Sequence, residues 1–442
     1  MVKDQTVLDK VVVTADGEGV VSHAGSALLV GLADRVGLTD ALSEAMAPTR
    51  QRASAHDPGI VLRDLAVMLA DGGDCLSDLG VLRDQRGLFG VVASDSTAYR
   101  VINSIDADTL DRLRGAVAVA RERAWALGAA PKQVVIDWDA TLLEAFSRKQ
   151  GATGTFKKGF GHHPLLCYLD GSREALAGVL RDGNAGSNTA ADHMTVGDLA
   201  LAQLPAGVLD GEIIARVDGA GATHVFTQWC RDAQIRFSVG SALTQDVLAA
   251  ALSIGDEEWK QALCQDGSEN PDAWVCELTG RVNLTSWPAH SRLICRSVRL
   301  AQGTQLGFGH ADGFRYEVFL TDLPGDIRDR DLFHRGHARV EDRIRDAKDL
   351  GLSNLPFQTF ANNEAWLLLT QLAQDLLAWS QALLLTGDLA RAEPKTLRYR
   401  LWHTAARIAR HARRVHLRLD RHWPWAAQLV AAFTRLQTLP RT

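Results

Sequence analysis

The stretch Gln133-Val134-Val135-Ile136-Asp137-Trp138-Asp139-Ala140-Thr141 is the most informative part of this sequence for its fold. It opens on an apolar, β-branched run, which is typical of a buried strand because branched side chains pack well on a pleated surface. It closes on two carboxylates that stand two residues apart, so Asp137 and Asp139 point to the same face of the strand. Because α/β folds place their sites at the carboxyl ends of strands, we predict a carboxylate site here.

Strand and helix patterns alternate after this stretch. Short apolar or β-branched runs predict strands, and runs with three- and four-residue apolar spacing predict helices. The predicted strands cover residues 165–169, 175–180, 212–217 and 236–239, and the predicted helices cover residues 189–203 and 223–233. Alternation of this kind predicts an α/β core.

The sequence on either side of this core has a different character. Residues 1–130 carry helical spacing and predict a helical N-terminal region, which would suit a DNA-binding domain or equally a packing domain. Between residues 244 and 325 the apolar period changes to two, which predicts a separate antiparallel β insertion with a hairpin turn at Asp312-Gly313. Its predicted strands cover residues 274–278, 292–300, 305–308 and 315–320. Helices alone are predicted after it, over residues 330–350, 362–385, 395–417 and 425–436.

These changes divide the chain into five parts. The first part of the core covers residues 131–243, and its second part, residues 326–390, follows the insertion. Basic C-terminal helices are predicted over residues 391–442. The predicted fold class is therefore α/β, with the core interrupted by an antiparallel β insertion and flanked by helical N- and C-terminal regions.

Composition narrows the class of protein. The chain has 442 residues, of which 46% are hydrophobic and 23% charged, as in ordinary globular proteins. None of the six cysteines forms a C-x-x-C pair, so we expect no zinc ribbon. The N-terminus resembles no signal peptide, and polar residues interrupt the most apolar helical stretch, 365–385. We therefore expect a cytoplasmic protein without a membrane span.

Charge is unevenly distributed along the chain. The net charge is −5, but residues 391–421 hold ten Lys and Arg against two acids, a local excess of +8. A basic patch of this size is the electrostatic footprint of phosphate binding, and we select Arg410, Arg413 and Arg414 as DNA contacts. The alternative interpretation is a solvated basic helix.

Two further acids complete a candidate constellation. Asp218 ends the predicted strand of Arg216-Val217-Asp218, and Glu341 lies in a predicted helix. On one continuous helix, five side chains would share a stripe with Glu341 at its centre: His334, His337, Glu341, Arg345 and Lys348. Carboxylate oxygens are the ligands that Mg²⁺ prefers, and the flanking cations suit a phosphate. Two alternative interpretations remain. Asp218 could only make turn hydrogen bonds at the end of its strand, and Glu341 could only form a surface ion pair with Arg345.

The order of these motifs resembles the DDE transposases of bacterial insertion sequences, in the branch with a β-rich insertion before the final Glu. That branch carries a signature of Tyr, two residues, Arg, three residues, Glu, six residues and Lys. Here Glu341 and Lys348 match the signature, whereas His334 and His337 replace its Tyr and Arg. The segment 137–141 resembles the family's acidic strand motif followed by Thr, and Arg216-Val217-Asp218 resembles its second strand end.

The resemblance implies an RNase H-like core and a Mg²⁺-dependent reaction, with Mn²⁺ as a second candidate ion. It implies catalytic and metal-binding roles for Asp218, Glu341 and one of Asp137 and Asp139, which the sequence does not distinguish. The implied partner is double-stranded DNA, both as transposon terminal repeats and as target. The resemblance also implies a homodimer, and a protein that is associated with the nucleoid when it is bound to DNA. The implied DNA contacts are the stripe residues His334, His337, Arg345 and Lys348, the three arginines, and tryptophans of the insertion that could stack on a flipped base, Trp274, Trp287 and Trp259.

Two other functions remain open at this stage. The first is a DNA-binding relative that has lost catalysis, since two signature residues are replaced by histidine. The second is an unrelated α/β metal-dependent phosphoesterase, which would use paired carboxylates but would need neither a split core nor a basic C-terminal region.

Overall fold

The computed structural model describes residues 11–50, 55–186, 189–412 and 414–440, with residue 220 described by its backbone alone. The N-terminal region is helical after one short strand, as predicted. Asp57, Ser94 and Asp106 begin three of its helices by accepting backbone N–H bonds, as N-cap residues do. The elements are β1 (Val20–Val21), α1 (Ala27–Arg35), α2 (Leu38–Met46), α3 (Pro58–Asp71), α4 (Gly80–Arg83), α5 (Arg86–Phe89), α6 (Asp95–Ile102) and α7 (Ala107–Ala124).

The alternating α/β pattern predicted after residue 131 is confirmed. The elements are β2 (Val134–Ala140), β3 (Leu143–Glu144), β4 (Thr153–Gly154), β5 (Phe160–His162), β6 (Leu165–Leu169), β7 (Ala175–Val179), α8 (Ala190–Leu201), α9 (Ala206–Leu209), β8 (Ile213–Val217), α10 (His224–Asp232) and β9 (Arg236–Ser241). Strands β3, β5 and β4 form a small sheet of their own between β2 and β6.

Five of these strands make the centre of the large sheet, in the order β7-β6-β2-β8-β9. β2, β8 and β9 are parallel, whereas β6 is antiparallel to both of its neighbours. This strand order and these directions are those of an RNase H-like core, as predicted. The sheet therefore brings the carboxyl ends of β2 and β8 to the same edge.

The predicted insertion is not a separate sheet. Its strand β14 pairs antiparallel with β9, so the insertion extends the central sheet and covers an edge that would otherwise present open hydrogen-bonding groups. Residues 305–308 form a loop instead of a strand, because the glycine-rich stretch there pairs with no neighbour among the described residues. The hairpin turn at Asp312-Gly313 is confirmed, with positive φ at both residues. The elements are α11 (Gln245–Leu252), β10 (Lys260–Leu263), β11 (Glu269–Glu277), β12 (Arg292–Arg299), β13 (His310–Ala311) and β14 (Phe314–Thr321).

The C-terminal part departs from the prediction in two places. The predicted helix over 330–350 is interrupted by a 3-10 turn at Gly336–Ala338. The predicted helix over 395–417 is wrong from residue 406 onward, where the chain forms a β-hairpin. The alternation of Val415, Leu417 and Leu419 with polar residues favours a strand, and β1 pairs with the hairpin. The elements are α12 (Ile327–Arg335), α13 (Arg339–Ala347), α14 (Phe360–Leu383), α15 (Pro394–Leu397), β15 (Ala406–His411), β16 (Arg414–Leu419) and α16 (Ala426–Thr438).

The long helix α14 is the centre of the core. Most of its residues are buried, including the polar Gln371, Gln374 and Asp375, and it packs against α3 and β7. Asp375 receives a hydrogen bond from the Arg121 guanidinium, so its burial is compensated. None of the helices in the described ranges is long and apolar enough to cross a membrane.

Candidate active site

Asp139 stands at the end of β2, half-buried, at the edge where the central strands end. Burial raises the pKa of its carboxyl to about 6. The charge of His337 opposes this shift in pKa, while the negative charges of Asp218 and Glu341 add to it. The three carboxylates are thus close enough to repel one another.

The second acid leaves the neighbouring strand beside the first. Trp138 is the register partner of Val217, so Asp139 and Asp218 follow adjacent positions of two parallel strands. Asp218 is exposed. On the other side, β9 passes so close that a Cβ on Gly240 would lie 2.6 Å from the backbone nitrogen of Gly219. A glycine at position 240 is therefore needed for this edge to form.

The third acid comes from a helix that packs on β2. Glu341 lies exposed in the first turn of α13, and α13 contacts β2. Carboxylates from two strand ends and one helix therefore gather at one edge of the sheet. Their oxygens are hard ligands, and a divalent cation among them would relieve the repulsion that raises the pKa of Asp139.

Asp137, the other acid of the first motif, is engaged elsewhere. The Arg216 Nε donates to its Oδ1 at 2.7 Å, and Nη2 donates to its Oδ2 at 2.8 Å, with both side chains buried. His337 Nδ1 also donates to Asp137 Oδ1, at 3.0 Å. Arg216 further pairs with Asp170 at 2.9 Å. Both oxygens of Asp137 are thus occupied by protein donors, which favours Asp139 as the acid that faces a metal.

The predicted stripe around Glu341 is only partly assembled, because the turn at Gly336–Ala338 breaks the helix on which it was based. His334 lies 2.9 Å from Ser238 Oγ and stacks on Phe319 at 4.4 Å between ring centroids. Burial lowers the pKa of His334 to about 3, so its imidazole is neutral near pH 7 and supplies no charge to a phosphate. A DNA contact by His334 stays a prediction, and it would be made by a neutral side chain.

Arg345 and Lys348 have different surroundings. Arg345 is exposed and pairs with Asp342 at 2.9 Å and Glu393 at 3.1 Å, instead of with Glu341. Lys348 is half-buried, and burial lowers its pKa while the charge of Asp139 raises it. Of the stripe, His337 and Lys348 therefore stand near the acids, whereas His334 and Arg345 do not.

The tryptophans proposed to stack on a base are all half-buried and packed against other side chains. The ring centroids of Trp274 and Phe314 are 5.6 Å apart, and the Arg299 Cζ lies 5.5 Å from the centroid of the Trp274 ring. Trp287 lies 4.0 Å from the ring of His224, and Trp259 packs near Tyr316. A role in DNA binding for any of them stays a prediction.

The basic C-terminal region is a hairpin with exposed arginines. Arg407 and Arg418 are register partners on adjacent strands, and Arg410 and Arg414 are exposed nearer the turn. Like charges directly opposite one another destabilise a hairpin, so an anion bound here would stabilise it. Arg413, the third predicted contact, lies outside the described residues.

Sequence reasoning missed the segment 141–163, which we call the arm. It contains β3, β4 and β5 and exposes Phe146, Phe156 and Phe160. The arm borders a cavity of about 650 Å³, the arm groove, which Ala140 and Lys348 also line. The signal in the sequence was the aromatic and basic run Thr155-Phe156-Lys157-Lys158, which lies between the first acidic motif and the next predicted strand.

Another group among the described residues could hold a metal. His23 Nδ1 lies 2.6 Å from Asp71 Oδ2, and His403 Nε2 lies 3.5 Å from Asp71 Oδ1. Its two imidazoles suit a transition metal better than Mg²⁺, which prefers oxygen. Asp71 already accepts hydrogen bonds from His23 and Ser26, which account for its burial without an ion.

Comparison with known proteins shows the family of the chain and a similarity to solved structures. The family model described as "Transposase DDE domain group 1" matches residues 4–441. A structure of the piggyBac transposase synaptic complex with hairpin DNA is similar at 11% identity and a TM-score of 0.44, with 86% of this chain and 79% of that chain covered. No curated protein matches the chain.

Proposed function

Since the chain belongs to the transposase DDE domain group 1 family, we propose that it is an active DNA transposase. It would cleave phosphodiester bonds at the ends of its own element and join the freed 3′-hydroxyl to target DNA. The observation that carries this proposal is the gathering of Asp139, Asp218 and Glu341 at one edge of the RNase H-like sheet, close enough for their charges to raise the pKa of Asp139.

The same three residues would hold Mg²⁺, or Mn²⁺ in its place, because they offer carboxylate oxygens from three elements. When bound, such ions activate the attacking water or hydroxyl and stabilise charge on the leaving oxygen. Asp137 is better suited to positioning, because Arg216 and His337 already occupy its oxygens.

Other residues of the chain would position the substrate. Lys348 borders the arm groove beside the acids and could neutralise a phosphate next to the reacting bond. His337 donates to Asp137 and acts electrostatically on Asp139, so it would link the buried pair to the metal-binding acids. The ion pair of Arg216 with Asp137 ties β8 to β2 and would keep Asp218 beside Asp139.

We propose double-stranded DNA as the partner, with the helical region 1–130 and the basic hairpin holding the terminal repeats. The core, residues 131–243 and 326–390, would carry catalysis, with the insertion 244–325 and the C-terminal part 391–442 contributing contacts. Two ends must be held together for transposition, so a homodimer is the expected assembly.

We also assign the chain to the bacterial insertion-sequence branch, since Glu341 and Lys348 keep that branch's spacing. It would then act in the cytoplasm on nucleoid DNA. The second candidate function is a DNA-binding relative without catalysis. It is favoured by His334, which replaces the signature Tyr and packs against Ser238 and Phe319 as a neutral side chain. Membership of the family leaves no support for an unrelated phosphoesterase.

The test is Mg²⁺-dependent cleavage of a fragment that carries the DNA flanking the coding sequence. We expect nicking by the wild type, loss of nicking in Asp139→Asn, and unchanged nicking in Asp388→Asn, an exposed acid of the 3-10 turn Gly387–Arg391. Binding without nicking by the wild type would favour the inactive relative, and absence of binding would contradict both candidates.

A further inference from the structure

The arm is firmly anchored at its base. Gln150 N–H donates to the Gln358 carbonyl, and the Gln150 side chain accepts from Phe360 N–H, each at 2.9 Å. Asn184 N–H donates to Thr153 Oγ1, also at 2.9 Å. A Cβ on Gly183 would lie 2.3 Å from the Gly161 carbonyl oxygen, so the arm and the loop after β7 touch backbone to backbone. The backbone of the arm is therefore held against the core at these three places.

Three phenylalanines of this anchored arm face solvent. Phe146 is 96% exposed, Phe156 67% and Phe160 41%. Phenylalanine is normally buried, and scattered single exceptions need no explanation. Three within fifteen residues, all lining one groove, form a largely exposed apolar patch, in which Phe156 alone has a ring contact, to His163 at 5.6 Å, among the described residues. Such a patch marks a surface that a partner covers.

The charge around the patch indicates the chemistry of that partner. Lys157 and Lys348 line the same groove, and the Lys157 Nζ lies 5.8 Å from the centre of the Phe156 ring. Among the described residues that line the groove, these two lysines are accompanied by a single acidic residue, Glu144. Aromatic faces interleaved with lysines are the combination that binds single-stranded nucleic acid, because bases stack and phosphates pair with the cations.

The position of the groove adds the last step. It begins at Ala140 and Thr141, the residues directly after Asp139, and ends at Lys348, seven residues after Glu341. A DNA strand cut at the acids would therefore have its unpaired nucleotides at the mouth of the groove. A protein partner would need no such proximity to the acids and no lysines among the aromatic rings.

We propose that the arm groove binds unpaired nucleotides at the cleaved DNA end, with bases stacked on Phe146 and Phe156 and phosphates held by Lys157 and Lys348. This inference rests on the proposed transposase function. In this proposal the aromatic residues that stack on bases lie in the arm, between β2 and β6, and the tryptophans of the insertion pack against other side chains of the protein.

The experiment measures binding of the full chain to a single-stranded oligonucleotide of about ten nucleotides that contains 2-aminopurine, without divalent metal. Stacking on a phenylalanine should change the 2-aminopurine fluorescence. The double variant Phe146→Ala, Phe156→Ala should weaken single-strand binding by roughly tenfold or more and abolish the fluorescence change, while duplex binding stays the same. Replacement of both residues by Trp should preserve stacking.

The matched control is Phe308→Ala, since Phe308 is 66% exposed but lies in the loop between β12 and β13, outside the groove. Thermal melting checks that every variant is folded. The proposal would be overturned if the double variant bound single strands as tightly as the wild type. It would also be overturned if the wild type did not bind single strands.

The same preparations separate this inference from the proposed function. If the wild type nicks the flanking DNA but the arm variants bind single strands normally, the arm inference alone is wrong. If the wild type stacks 2-aminopurine through Phe146 and Phe156 but does not nick, the groove is supported and the catalytic function fails.

Discussion

Arg216 holds Asp137 through two hydrogen bonds, 2.7 Å from Nε to Oδ1 and 2.8 Å from Nη2 to Oδ2, with both side chains buried. The residues lie on neighbouring parallel strands and are register partners. Asp139, two positions further along the same strand, is at the sheet edge and is influenced by Asp218 and Glu341. One acidic motif thus contains a buried structural carboxylate and a carboxylate of the candidate site.

This division predicts opposite phenotypes for the two acids. Asp137→Ala should lower the free energy of unfolding by about 3 kcal/mol or more, because it leaves the Arg216 guanidinium buried with Asp170 as its remaining acid. Asp139→Asn should leave stability nearly unchanged and abolish cleavage. Urea unfolding and the nicking assay measure the two effects. A stable Asp137→Ala protein with a destabilised Asp139→Asn protein would reverse the assignment.

The remaining acids should act in catalysis alone. Asp218→Asn and Glu341→Gln each remove a proposed metal ligand at an exposed position, so we expect cleavage below detection with binding of the DNA ends nearly unchanged. The matched control is Asp342→Asn, next to Glu341, whose carboxylate pairs with Arg345 at 2.9 Å. Cleavage that persists in either variant would remove that residue from the proposed triad.

The basic hairpin should contribute to the salt dependence of DNA binding. Replacing Arg410 and Arg414 by alanine should weaken duplex binding and reduce the slope of log K against log salt by roughly 1.8, about 0.9 for each lost phosphate contact. Arg315→Ala is the control, since Arg315 is exposed but pairs with Glu317 at 2.9 Å on β14. An unaltered slope in the double variant would mean that the hairpin is only structural.

His334 should make the folded protein sensitive to acid. Its pKa is lowered to about 3 in the folded state, against about 6.5 when unfolded, so the unfolded chain takes up the proton first. The contribution of neutral His334 to the free energy of unfolding is complete above pH 6.5. It is lost as the pH falls towards 3, by at most about 1.4 kcal/mol per pH unit.

The comparison is between the wild type and His334→Asn, which cannot titrate but can still hydrogen-bond to Ser238. Between pH 7 and 5 the wild type should lose more free energy of unfolding than the variant. Burial also lowers the pKa of His163 and His193, so both proteins should share part of the loss. Identical pH profiles would contradict the assignment to His334.

Arg121 should be essential for the fold. It is fully buried and pairs with Glu174 at 3.0 Å and Asp375 at 2.6 Å, both buried. Arg121→Met would leave two buried carboxylates without their cation, so we expect a loss of about 3–5 kcal/mol in unfolding free energy. Burial raises the pKa of Asp375 to about 7, so the loss should be smaller at pH 5, where that carboxyl is protonated. Adding Asp375→Leu should restore part of the stability at pH 8, and a fully stable Arg121→Met protein would contradict this account.

Local pattern was sufficient where the structure depends on neighbours in sequence. The strand 134–140, the alternation up to β9 and the turn at Asp312-Gly313 follow from side-chain period and turn chemistry, and all were predictable. The hairpin β15–β16 was not, because its arginines hid an alternation of period two and because part of its support comes from β1, almost four hundred residues away in sequence. The break at Gly336–Ala338 was also not predictable, since the helical spacing continues across Gly336.

Sequence alone was therefore enough to predict the α/β core, the acids at the ends of β2 and β8, and the spacing of Glu341 and Lys348. The difference between Asp137 and Asp139 arises in the folded chain, because both acids share a strand face and Arg216, 79 positions after Asp137 in sequence, hydrogen-bonds to Asp137. The tertiary structure also placed the arm's phenylalanines beside Lys348. The spacing of apolar residues depends on the helix or strand to which each residue belongs. Ion pairs, burial and the electrostatic shifts in pKa arise between elements that come together only in the folded chain.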